Sequence, residues 1–135
     1  MLGIALSSRR VIGWIVLVSG VLNLGYCGYV FYILSQPTDD QYGLLVFVFG
    51  LFALGIVVNS ILGIISGLLL ARSSKNKILG WFVFIIAIIS IPFAIAIAFP
   101  AGFVGLLELT YHLLLGASGV MLSHSPIEKA SIESN

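Results

Sequence analysis

Between Asp40 and Arg72 the chain carries no charged side chain. So long an uncharged run cannot lie against water, and it exceeds the ~20 residues that one helix needs to cross a ~30 Å hydrocarbon layer. The excess predicts a tilt or an extension into the interface. Three further apolar segments give spans at 11–34, 43–71, 78–99 and 101–122. The ~10-residue alternating segments of a strand-built barrel are absent. Only 8% of residues are charged and 60% are hydrophobic, whereas a soluble domain carries about a quarter charged residues. The expected fold is all-α: four transmembrane helices in one up-down-up-down bundle over residues 1–122, then a polar tail over 123–135.

Charge placement orients the bundle. All six Lys and Arg residues fall on one side: Arg9 and Arg10 before span one, Arg72, Lys75 and Lys77 between spans two and three, and Lys129 in the tail. The opposite loop, "SQPTDDQ", has two acids and no base. The positive-inside rule then predicts that both termini and the tail are cytoplasmic. "FPAG" predicts a tight turn between spans three and four, with Pro100 lacking an N–H and Gly102 open to unusual dihedrals. Trp14, Tyr32, Tyr42, Trp81, Phe82 and Phe99 lie near span ends, where aromatic side chains anchor helices at an interface. "SSRRVIG" resembles a twin-arginine export signal only in its arginines. The apolar run behind it is too long for a signal core, and no small-x-small cleavage site follows. A retained first helix is expected.

Helices in lipid associate through close backbone approach at small residues, because the tails are as apolar as leucine. Gly55, Asn59, Gly63 and Gly67 recur every four residues in span two. Gly13, Gly20, Asn23 and Cys27 share a face of span one, and Gly105, Glu108, His112, Gly116 and Gly119 share one of span four. Glu108 and His112 therefore point at other helices. Counting 1.5 Å per residue, Asn23, Asn59, Glu108 and His112 come to similar depths, which predicts an intramembrane polar cluster with Cys27 on its outer side. Such a cluster could set helix register, meet a polar group of a neighbouring subunit, or relay protons or ions. Glu108, His112 and Cys27 could also ligate a metal, but bundle metal sites typically show a second His or a repeated Glu-x-x-His, and here the only other histidine, His124, lies in the tail. Neither a metal nor a cofactor is expected. Pro92 predicts a kink near Ile88 in span three. No internal repeat is legible: spans two and four both carry glycines, but their polar residues do not align.

"LGIISGLLLAR", the short basic loop, "ILGWF" and "PAG" lie within residues 62–116. That stretch resembles a loose class of small four-span integral membrane proteins. The resemblance implies the fold and supplies no activity. Small multidrug exporters share length and span count, but their essential glutamate lies in span one, which has no acid here. The paired cysteines of four-span thiol oxidoreductases are missing too, since Cys27 is the single cysteine. A net charge of +1 leaves no basic patch for nucleic acid. No nucleotide-binding loop or catalytic constellation is present, so no enzymatic activity is expected. The expected function is a non-catalytic accessory subunit of a larger membrane complex, or a homo-oligomer, packing through the glycine faces. Its partners would be lipids and other integral membrane subunits, in a prokaryotic plasma membrane. The alternative is a small oligomeric transporter or channel in which Glu108 and His112 handle protons or cations.

Overall fold

The computed structural model describes residues 2–36 and 43–124. They form four helices: α1 Leu2–Leu34, α2 Gly43–Ala71, α3 Lys77–Ala101 and α4 Phe103–Ser123. All four are long and apolar enough to cross a membrane. Tail residues 125–135, and the loop with Asp39, Asp40 and Tyr42, lie outside the described residues. α1 starts well before the predicted span: "LGIALSSRR" is helical through both arginines, with the Ser7 and Ser8 hydroxyls bonded back to the Ile4 carbonyl. α3 is one continuous helix through Pro92.

The ends follow local chemistry. At the close of α2, Ser73 takes a positive φ of 57°, its N–H bonds Leu70 O, and Ser74 N–H bonds Leu69 O. Those two bonds cap the free carbonyls in the Schellman pattern. Asn76 then caps α3, its Oδ1 accepting from Leu79 N–H at 3.0 Å. Gly102 alone separates α3 from α4, at φ 60° and ψ −121°, a conformation that essentially requires glycine.

Each helix packs chiefly on its chain neighbour, giving two antiparallel hairpins, α1–α2 and α3–α4; among the described residues the α1 and α3 backbones do not approach each other. Within the first, Gly13, Gly20 and Cys27 recur every seven residues. A Cβ on Gly13 would lie 2.6 Å from Ala71 N, and one on Gly20 2.9 Å from Ser60 O. The Cys27 thiol donates to Ala53 O at 3.8 Å, within the same seam. The second hairpin repeats the device: a Cβ on Gly80 would lie 2.6 Å from Gly119 O, and one on Gly119 2.7 Å from Gly80 O.

The likeness extends to several buried positions of the two hairpins, although no repeat is legible in the sequence. A shift of 67 positions carries Gly13, Val16, Gly20 and Cys27 onto Gly80, Val83, Ala87 and Ala94, all buried. A shift of 52 carries Ala53, Asn59, Ser60, Ser66, Gly67 and Leu70 onto Gly105, Tyr111, His112, Ser118, Gly119 and Leu122, again all buried. Burial matches at these positions, but Tyr111 stands in the place of Asn59 and His112 in that of Ser60, so size and chemistry differ there and the likeness is not legible in the sequence. On the repeat axis α2 meets α4: Ser66 and Ser118 share a hydrogen bond at 3.2 Å, and Gly63 leaves the space that the Tyr111 hydroxyl enters. The half of the bundle toward the basic residues is closed by Val16, Leu70, Val83, Leu115 and Leu122, each fully buried. Toward the turns, the hairpins separate and leave clefts.

Candidate functional site

The four polar residues expected in one cluster fall into two parts. The first is a closed network. Asn59 Nδ2 donates to Ser90 Oγ at 3.0 Å and to His112 Nε2 at 3.0 Å. His112 Nδ1 lies 2.7 Å from Glu108 O, a backbone carbonyl that can only accept, so the proton belongs on Nδ1 and Nε2 is left free to accept from Asn59. Ser90 Oγ donates to Ile86 O at 2.8 Å, and the Tyr111 hydroxyl donates to Asn59 O at 2.7 Å. Three helices are thus tied by bonds in which both imidazole nitrogens are occupied.

The second part is Asn23 with Glu108. The Glu108 carboxylate reaches only to 3.9 Å from His112 Nδ1, and its Oε2 has no hydrogen-bond partner. Asn23 Nδ2 has none either, although both residues are buried. Glu108 stands where the first hairpin has Ile56, so a carboxylate occupies a position built for a hydrocarbon side chain.

Two clefts open on these groups. One, of about 410 Å³, runs among α2, α3 and α4; Phe52 and Phe93 pack edge-to-face at 6.2 Å in its wall, and Asn59, Ser90, Glu108 and His112 form its inner end. The other, of about 350 Å³, lies between α1 and α4 and is lined by Leu22, Asn23, Tyr26, Leu107, Glu108 and Tyr111. Glu108 borders both.

Of the glycines expected at packing faces, Gly67 and Gly119 sit at the hairpin crossings and Gly63 lies beneath Tyr111. Gly116 would place a Cβ at 3.6 Å from Ala87, Gly105 is buried, and Gly55 faces open space on the wall of the larger cleft. Cys27 is held in the α1–α2 seam and lines neither cleft. Among the described residues no three His, Cys, Asp or Glu side chains come together as a metal site.

Three participants escaped sequence reading. Ser90 and Tyr111 look like ordinary packing residues, and only their partners reveal a role. Arg9, read as a topology-setting flank, is buried: Nη1 donates to Met121 O at 2.7 Å and to His124 O, and Nη2 donates to Ser74 O at 3.0 Å. The legible signal was its spacing, since Arg9 lies four residues before Gly13 on the same buried face. Comparison with protein-family models, curated proteins and solved structures finds no match for this chain.

Proposed function

We propose that this chain is a multi-pass integral membrane protein with both termini cytoplasmic, acting as a non-catalytic accessory subunit of a larger membrane assembly or of a homo-oligomer. The observation that carries the reading is the closed Asn59–Ser90–His112–Tyr111 network above a fully packed basic half. These groups lock helices to one another. Large apolar side chains cover the outside, Leu22 at 69% exposure among them, while the serines and the polar network lie inside with a Val and Leu core. Exposed apolar surface on that scale fits a lipid surround. The glycines at the crossings are occupied within the chain, so partner contact falls to the open ones. Among the described residues, no atom of a neighbour lies within 4 Å of where a Cβ would stand on Gly25 and Gly28 of α1 or on Gly50 and Gly55 of α2. The deciding experiment is gentle native extraction followed by mass spectrometry of what remains attached. Stoichiometric subunits at wild-type Gly25 and Gly28, lost when both become leucine, are expected; a monomer free of partners removes the reading.

One observation favours a transporter instead: the unpartnered Glu108 oxygen at the inner end of two clefts. In that reading Glu108 and His112 handle a proton or cation in an oligomer. Flux across reconstituted vesicles that depends on pH, and that Glu108→Gln abolishes without disturbing assembly, supports it. Silent wild-type vesicles under varied ions and pH sink it.

A further inference from the structure

The two clefts occupy matching places in the two repeats, which makes each a reference for the other. The shift of 67 carries Leu22, Asn23 and Tyr26 onto Ile89, Ser90 and Phe93. The shift of 52 carries Gly55, Ile56 and Asn59 onto Leu107, Glu108 and Tyr111. In the larger cleft Ser90 Oγ and Asn59 Nδ2 are engaged by neighbours. In the α1–α4 cleft two groups are not. Asn23 Nδ2, a donor, and Glu108 Oε2, an acceptor, face each other, yet neither makes a hydrogen bond of normal geometry to the other or to any described residue, although their residues are only 8% and 9% exposed. Leaving either group unmade is costly where water is excluded. They have opposite hydrogen-bonding character and line one cavity of about 350 Å³.

We propose that the α1–α4 cleft binds a lipid alcohol, whose hydroxyl donates to Glu108 Oε2 and accepts from Asn23 Nδ2. A hydroxyl carries one donor and two acceptor lone pairs, so a single group satisfies both atoms. An ammonium head donates only and leaves Asn23 unpaired; an ether accepts only and leaves Glu108 unpaired. The apolar body lies against Leu22, Tyr26, Val104 and Leu107. Leu22 is 69% and Leu107 55% exposed, so the rim opens sideways out of the bundle and the ligand enters from the surrounding layer. That route rests on the integral-membrane reading, which carbonate-resistant sedimentation tests separately. The cavity suits a small ligand, with room for on the order of ten methylene-sized groups if each takes the ~30 Å³ of a liquid water.

The test uses the full chain in lipid nanodiscs and native mass spectrometry with three probes: decan-1-ol, decyl methyl ether and decylammonium. Wild type should retain decanol one-to-one, at least tenfold more than either other probe. Leu107→Trp fills the cleft from its exposed rim without touching the core and should lower decanol retention at least tenfold. Asn23→Leu should do the same. Ile89→Trp, at the matching rim of the other cleft, should leave retention unchanged. Equal retention of the three probes would mean nonspecific partition and overturns the proposal. So does retention that survives both Leu107→Trp and Asn23→Leu, the result expected if Asn23 and Glu108 simply pair with each other or with water. Loss in Ile89→Trp as well as Leu107→Trp overturns the assignment to this cleft.

Discussion

At the scale of single residues, the polar groups differ in what they have to lose. Asn59 makes two side-chain bonds and sits under a third through its carbonyl, whereas Glu108 Oε2 makes none. Asn59→Ala should therefore destabilise the fold by about 1 kcal/mol, since interhelical hydrogen bonds in membranes average ~0.6 kcal/mol and His112 Nε2 is left unpaired. Glu108→Gln keeps shape and breaks no bond made through Oε2, so its effect on stability should be smaller. Unfolding in mixed micelles at rising denaturing-detergent fraction compares them; equal losses would contradict the division of the cluster. Glu108, His112 and Asn59 were legible as inward-facing because helical spacing placed them among glycines. The division was not legible. It depends on which nitrogen of His112 meets which helix, and on Ser90 and Tyr111, whose residue types alone signal nothing.

At the scale of helices, the sequence pattern located all four, since a long uncharged run admits few structures. α2 matches its predicted bounds, and only the starts and ends of the others moved. The glycines needed coordinates: one stripe, Gly55 to Gly67, contains residues with opposite surroundings. A Cβ on Gly67 would stand 2.6 Å from both Gly13 O and Leu17 N, backbone atoms that cannot turn aside. A Cβ on Gly55 would meet nothing within 4 Å. Gly67→Ala should destabilise the α1–α2 hairpin by roughly 1–3 kcal/mol through overpacking. Gly55→Ala should leave stability unchanged or raise it by up to about 1 kcal/mol, the helix-propensity difference. Thermal unfolding followed by helical circular dichroism reads both signs. Destabilisation of similar size at both positions would mean that Gly55 is also packed against something.

At the scale of the whole molecule, the two hairpins use one packing plan with different polar groups. Val16 and Val83, Leu70 and Leu122, and Ser66 and Ser118 are identical pairs, while Ile56 and Glu108 are similar in bulk and opposite in polarity. Packing is conserved between repeats where helices cross, and chemistry diverges where the clefts open. Ser66 and Ser118 lie at the meeting of α2 and α4, with oxygens 3.2 Å apart. Because contacts within each hairpin far exceed those between them, two copies of the chain could exchange hairpins without loss of a single close crossing. A paired substitution decides between these arrangements. In a Cys27→Ala background, Ser66→Cys with Ser118→Cys should oxidise to a bridge inside one chain, seen as a faster-migrating monomer that reverts on reduction. Each single cysteine should remain unbridged. A covalent dimer from the double variant, absent from both single variants, would show that α2 meets the α4 of a second copy, and the clefts on either side would then be built from two chains.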